Sequence, residues 1–272
     1  MDPVTHALTP YDSVVITGGS SGIGAAFLRM ALSSGVPIRI ANLSRSTPDL
    51  TEKPGDCEHF PVDLTDSAAL RATAGRLASW LDGGSGKKGI LLINNSGFGS
   101  YGPFPEPGLG TTLSMVDLNL RAVVELTGIL LPRILASRGG VVNVASTAAF
   151  QPLPETATYA ATKAFLLQWG LALHQELKSR ECFCLTLCPG PTRTAFFSAA
   201  GFKKSPLGKG FGQSADQVCL AAFRGIAKRR SLVIPGAVNT LLAGLAGVLP
   251  RRWIAPVTGR MVRSLRLQQY RQ

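Results

Sequence analysis

Beyond Asp216 the sequence contains no aspartate or glutamate, yet that stretch carries ten of the 28 lysine and arginine residues. The first 216 residues hold 18 basic residues against all 16 acidic ones, so the formal charge of +12 belongs mainly to one end of the chain. A basic end of this kind can face acidic lipid headgroups, a nucleic acid or solvent. It lacks the regular interleaving of aromatics that base stacking requires, so nucleic acid is not expected as a partner. Charged residues are scarce overall, at 16% against 45% hydrophobic, which excludes a disordered polyelectrolyte and predicts a well-buried sheet. Paired Cys or His ligands are missing too: Cys182, Cys184 and Cys188 share one parity along a strand, which suits small buried hydrophobes in a reducing compartment better than a zinc site. Met1 to Tyr11 shows no basic segment followed by an apolar run, so no secretory signal is read and the cytoplasm is expected. The most apolar run, Ala237 to Leu249, contains Asn239, ends at Pro250 and is too short to span a bilayer.

What is present is a regular alternation. Ser13 to Thr17 is a short β-branched run, followed by Gly18-Gly19-Ser20-Ser21-Gly22-Ile23-Gly24 and the helical Ala25 to Leu32. Ile38 to Leu43 predicts a second strand, Phe60 to Leu64 a third, and Ser67 to Leu81 a helix capped by Ser67. Ile90 to Ile93 is continuously apolar, as a strand covered on both faces should be. A long helix over Thr111 to Leu131, a strand over Gly140 to Ala145, a helix over Thr158 to Ser179 and a strand over Cys182 to Leu187 follow. After the turn Pro189-Gly190-Pro191 come a helix at Ser214 to Lys228 and a last strand at Leu232 to Pro235. The order specifies an α/β fold, a single-domain, doubly wound (Rossmann-type) parallel sheet with helices on both faces. It spans residues 13–236, between an N-terminal extension (1–12) and an apolar, then basic, C-terminal segment (237–272). Ala237 to Leu249 is expected to pack over the substrate cleft or another subunit, with a membrane interface as the alternative.

A glycine-rich loop between strand and helix lets backbone N–H groups meet a pyrophosphate where side chains would block the approach. Gly18, Ser20, Ser21, Gly22, Ile23 and Gly24 are therefore expected to bind a dinucleotide. Past the second strand stand Ser44 and Arg45, with the nearest acid only at Asp49, which favours NADP(H) over NAD(H). Tyr159 and Lys163 lie at i and i+4 on one helix face. Ser146 falls thirteen residues before Tyr159 at the end of a predicted strand, and Asn119 lies in the long helix before that strand. Parallel strands bind ligands at their carboxyl ends, so Ser146 and the glycine loop open onto one crevice.

From Val14 to about Phe197 the chain resembles the short-chain dehydrogenase/reductase family. The glycine loop, Asp63, Asn94-Asn95-Ser96-Gly97, Asn119, Ser146, Tyr159, Lys163 and Pro189-Gly190 follow the family's order. Ser96 departs from the usual Ala, and a small side chain still fits. Thr158 to Phe165, Cys188 to Phe197 and the C-terminus are most similar to a DltE-like reductase subgroup. The resemblance implies that Tyr159 exchanges a proton with the substrate oxygen while hydride passes to or from the nicotinamide. Lys163 would lower the phenol pKa and bond the nicotinamide ribose, Ser146 would bond the substrate oxygen, and Asn119 would hold a water of a proton path. Asp63 and Leu64 would sit by the adenine, Asn95 and Gly97 would line the cofactor, and Pro189, Gly190 and Thr192 would close over the nicotinamide.

The expectation is an NADP(H)-dependent interconversion of a carbonyl and an alcohol. The segments Ser96 to Phe104, Phe150 to Thr156 and Thr194 to Phe211 are expected to line the substrate; their aromatics favour an apolar ketone over a sugar. Two readings compete with it: a catalytically idle dinucleotide-binding scaffold or sensor on the same fold, and a nucleic-acid-binding module built on the basic end. The resemblance also implies a homo-oligomer, dimer or tetramer, formed through the two long helices. The basic C-terminal region offers peripheral membrane contact.

Overall fold

The computed structural model describes residues 1–49, 57–84, 86, 88–106, 108–200 and 212–270, without the side chains of 198–199 and 264–270. Helix α1 (Pro3–Leu8) starts on an Asp2 cap and leads into strand β1 (Tyr11–Thr17). Then come α2 (Gly22–Leu32), β2 (Arg39–Ser44), β3 (Cys57–Pro61), α3 (Ser67–Asp82) and β4 (Gly89–Asn94). Helix α4 (Leu109–Val116) passes through a π-helical turn at Asp117–Arg121 into α5 (Ala122–Ala136). Strand β5 (Gly140–Val144), a 3₁₀ turn at Thr147–Phe150, α6 (Ala157–Lys178) and β6 (Phe183–Leu187) follow. The rest comprises β7 (Thr192–Arg193), α7 (Phe196–Ala199), β8 (Gln213–Ser214), α8 (Ala215–Ala227), β9 (Leu232–Val233), α9 (Ala237–Val248) and α10 (Arg251–Tyr270).

Seven strands form one sheet in the order β3-β2-β1-β4-β5-β6-β9, every neighbouring pair parallel. This is the doubly wound fold, and the direction of winding reverses between β1 and β4. Alternation along each strand sends side chains to two cores. Val14, Ile16, Phe183, Leu185 and Leu187 meet Leu8 of α1, Phe27 of α2 and Phe223 of α8 on one face. Val15, Leu92, Val141 and Cys184 meet Leu77 of α3, Leu130 of α5 and Leu173 of α6 on the other. Each such large side chain taken from water contributes about 1.5–3 kcal/mol. The first core is fastened by Phe27 and Phe223, edge to face at 5.4 Å.

Three local expectations shift. The third strand begins and ends earlier, at Cys57–Pro61, because pairing runs from Ile40 with Cys57 to Ser44 with Pro61. Val62 and Leu64 are apolar because they are buried in the second core, not because they continue the strand. The cap of α3 is Asp66, whose carboxylate accepts the Ala68 and Ala69 N–H groups. Ser67 instead donates its hydroxyl to Glu125. Finally, the long helix reaches from Leu109 to Ala136 but is broken by the π turn, which the apolar periodicity did not signal.

Candidate active site

The crevice at the carboxyl ends of β1, β4 and β5 is built first by the glycine loop. Gly18 (φ +70°) and Gly22 (φ +56°) take left-handed conformations that side chains disfavour. A Cβ on Gly24 would collide with the Gly18 carbonyl. Helices α1, α3 and α8 each begin on a side-chain cap, Asp2, Asp66 and the Ser214/Gln217 capping box. Ser21, the N-cap of α2, makes no such bond. The first N–H groups of Gly22, Ile23 and Gly24 have no acceptor within their own helix. An anion met by these groups and by the positive end of the helix dipole fits this loop, and a dinucleotide pyrophosphate is such an anion.

Neighbouring side chains fix the loop. The Gly19 N–H donates to Asn42 Oδ1 at 2.8 Å, and Asn42 Nδ2 donates in turn to Ser44 Oγ at 2.8 Å. The Thr17 hydroxyl accepts the N–H groups of Asn95 and Ser96, both at 2.9 Å, while Asn95 Nδ2 donates to the Thr17 and Gly18 carbonyls. Thus β1, β2 and β4 are locked together at their carboxyl ends. Asn42 was not singled out from sequence, and Thr194, placed in the substrate lining, has its side chain beside Gly22. The alternation of β2 alone marks Asn42 as a polar residue on an inward position.

Ser44 is buried and Arg45 exposed. Asp63 accepts the Thr65 N–H and hydroxyl, at 2.9 and 2.7 Å. Those bonds, with a smaller effect of the Arg45 charge, hold its carboxyl below the usual range. Arg45 and Asp63 therefore stand near each other beyond β2 and β3. Leu64 borders a narrow cleft with Thr17, Ser96, Leu118 and Val123. The preceding turn is held by Arg121, which donates to the Leu64 and Thr65 carbonyls at 3.2 and 2.8 Å.

Across the crevice, Ser146 lies just past β5, and its Oγ accepts the Ala148 N–H at 3.1 Å. The Ser146 side chain lies beside the Tyr159 hydroxyl. Lys163, one turn along α6, is 5% exposed; its Nζ donates to the Val144 carbonyl at 2.9 Å and lies 5.8 Å from the Tyr159 ring centre. Burial pushes the Lys163 ammonium down to about 8. Burial likewise pushes the Tyr159 phenol up to about 12, against a smaller lowering by Ser146. Without a bound dinucleotide, desolvation is the largest effect on the phenol. The group held here is a protonated acid.

Asn119 sits in the π turn and is fully buried. Such turns re-aim side chains and recur at functional sites. Asn119 Oδ1 accepts the Phe98 N–H at 3.0 Å, and its Nδ2 donates to the Phe98 carbonyl at 2.9 Å and to Thr162 Oγ1 at 3.2 Å. A Cβ on Gly97 would stand 2.9 Å from Asn119 Oδ1 and 3.4 Å from Lys163 Nζ, so Gly97 leaves room where those two groups approach. Of the C-terminal lining, Thr192 is buried and donates to the Gly190 carbonyl, and the Pro189 carbonyl accepts the Thr147 N–H. The rings of Tyr159, Phe196, Phe197 and Tyr101 form a chain with centres 5.6, 5.8 and 6.4 Å apart. Phe104 is 70% exposed and turned outward, while Phe202 and Phe211 lie outside the described residues.

Residues 12–204 match the family model described as short chain dehydrogenase. The chain is 32% identical over 187 residues to a serine 3-dehydrogenase of Agrobacterium fabrum, covering 68% of this chain and 73% of that protein. It is 29% identical over 253 residues to a very-long-chain 3-oxoacyl-CoA reductase of Rattus norvegicus, covering 88% and 76%. A solved short-chain dehydrogenase from Sphingobium yanoikuyae in complex with NADPH superposes with a TM-score of 0.73 at 28% identity, covering 88% of this chain and 96% of that one. The glycine loop, the uncapped helix end and the serine, tyrosine and lysine across the crevice thus accompany a match over most of the sequence, and the chain belongs to the short-chain dehydrogenase/reductase family of NAD(P)-dependent oxidoreductases.

Proposed function

We propose that the protein is an NADP(H)-dependent reductase of apolar ketones or aldehydes, with Tyr159 as the general acid. The observation that carries this reading is the buried Lys163, one turn along α6 from Tyr159, with its Nζ 5.8 Å from the Tyr159 ring centre. When bound, the reduced dinucleotide supplies the hydride. Gly18, Ser20, Ser21, Gly22, Ile23 and Gly24 hold its pyrophosphate, and Ser44, Asp63 and Leu64 receive the adenosine side. Arg45 pairs with the 2′-phosphate, while Asn95, Gly97, Pro189, Gly190 and Thr192 border the nicotinamide end.

Tyr159 gives its proton to the substrate oxygen, and Ser146 stabilises the charge developing on that oxygen by hydrogen bonding. Below about pH 8 the Lys163 ammonium stabilises the phenolate left behind. Asn119 acts as a positioning residue, fixing Phe98 and Thr162 around the lysine, with acceptor capacity left on Oδ1 for the water of a proton path. The aromatic chain of Tyr101, Phe196 and Phe197 favours an apolar substrate. A cytoplasmic homo-oligomer and kinship with the DltE-like subgroup belong to the same proposal. The partly exposed Val124 and Phe165 on the long helices are available for subunit contact.

The test is NADPH oxidation with a panel of apolar ketones. Tyr159→Phe is expected to cut turnover about 10²–10⁴-fold with little change in NADPH affinity; retained turnover overturns the acid assignment. Arg45→Ala is expected to raise the Michaelis constant for NADPH about tenfold or more while leaving that for NADH within about twofold. Equal effects on both cofactors exclude contact with the 2′-phosphate.

A further inference from the structure

We propose that α9 and α10 form a docking surface for an anionic lipid bilayer and set the mouth of the active site against it. On α9, Val238, Leu241, Leu242, Leu245 and Val248 recur at helical spacing along one face and are 70, 64, 58, 49 and 84% exposed. The opposite face is the one that packs: Ala243 and Ala246 are buried. Past the junction, Trp253 and Val257 on α10 are 60 and 62% exposed, while Ile254, Thr258 and Val262 turn inward. Monomeric proteins rarely leave so continuous an apolar patch in water.

Charge selects the occupant. Arg251 and Arg252 at the junction, and Arg260 three residues beyond Val257, are exposed beside this face. Residues 237–272 contain six arginines and no acid. A second copy docked through the same patch would set arginines against arginines with no carboxylate between them, since a twofold contact brings each patch onto itself. Anionic headgroups supply the missing charge; arginine stems can lie along the apolar boundary while their guanidinium groups reach the phosphates, and tryptophan favours that same boundary. The helices lie on such a surface and do not cross it: α9 has 12 residues, and no helix among the described residues is long and apolar enough to span a membrane.

The surface is tied to the site. Asn239 of α9 lies against Gly190, where an added Cβ would stand 2.5 Å from its amide. The Thr258 hydroxyl of α10 donates to the Pro152 carbonyl at 2.8 Å, and Gly259 packs against Pro154. Pro152 and Pro154 belong to the segment joining Ser146 to Tyr159, so the docked face adjoins the rim through which an apolar substrate enters. That delivery rests on the ketone-reductase reading; the docking itself does not.

The test is flotation of the full chain with vesicles of phosphatidylcholine alone and of phosphatidylcholine mixed with phosphatidylserine. Binding to the mixed vesicles is expected to be at least about tenfold stronger and to fall as salt rises. The double variants Arg251→Glu/Arg252→Glu and Leu241→Ser/Leu245→Ser should each lose it. Tyr159→Phe should float like the parent protein, which separates this surface from the chemistry. Equal or absent binding to the two vesicle types overturns the proposal. So does a stable dimer in sedimentation equilibrium that the Leu241→Ser/Leu245→Ser change dissociates, because the face then belongs to a second copy.

Discussion

The carboxyl end of the sheet and the C-terminal helix pair break the ordinary rule of burial in opposite directions. At the sheet end, Asn42, Asn94, Asn119, Asn143 and Lys163 are polar groups placed where apolar ones would pack. Most of their hydrogen-bonding capacity is met: Asn94 Nδ2, for example, donates to Thr127 and Asn143, both at 2.9 Å. On α9 and α10, leucine, valine and tryptophan stand in water where polar residues would be neutral to stability. Buried polar groups and exposed apolar patches are each informative because each costs free energy that folding alone does not require. The first region has groups fixed as chemistry requires; the second leaves apolar groups open to contact.

Making the first region apolar should have the largest effect on stability. Lys163 stands at about 8 in the fold against an ordinary 10.5. Between those values the unfolded chain binds more protons, so the lysine's contribution to stability rises with pH across this window and is at its lowest below about 8. The full shift corresponds to about 3 kcal/mol. The buried thiols of Cys184 and Cys188, pushed up by burial to about 12, act in the opposite sense above their ordinary 9.0. Lys163→Met separates the two. In denaturant unfolding, the variant should gain on the parent protein near pH 7 and lose that advantage by about pH 10, a change of about 2–3 kcal/mol in their difference. A difference that stays constant with pH would show that the ammonium is not desolvated in the fold.

A second change acts at the joint between the regions. A side chain on Gly190 would enter the space held by the Asn239 amide, whose Nδ2 donates to the Pro235 carbonyl at 2.7 Å and to Gln213 at 3.3 Å. Gly190→Ala is expected to cost about 1–3 kcal/mol, in the range of overpacking. Asn239→Ala should recover part of that cost in the same chain, measured as a non-additive double-mutant cycle. Additive effects would mean that α9 does not bear on the turn after β6.

The two regions were unequally legible. The doubly wound parallel sheet followed from the alternation of strands and helices, because parallel strands leave few other arrangements. The positions of Asn119 and of the Leu64 turn did not. Asn119 depends on a π turn that adds one residue to a helix without altering its apolar pattern, and the Leu64 turn is held by Arg121, 57 residues away in sequence. The burial that raises the Tyr159 phenol is likewise a product of packing and is not visible in the spacing of Tyr159 and Lys163. For Ala237 to Leu249, composition showed an apolar helix but could not say that only one of its faces packs.

That half-packed helix yields the smallest predicted effect. Leu241 is 64% and Leu245 49% exposed, so replacing them with serine removes side chains that folding has left largely in water. Unfolding free energy should change by no more than about 0.5 kcal/mol for each, as for ordinary surface positions. The inward neighbour gives the contrast: Ala243 is 4% exposed, and Ala243→Leu must force extra volume between α9 and the body of the protein, at about 1–3 kcal/mol. A difference of that kind between residues two positions apart requires one face to be packed and the other open. A large loss on Leu241→Ser, dependent on protein concentration, would instead place that leucine inside an assembly of copies and remove the exposed apolar face on which the comparison stands.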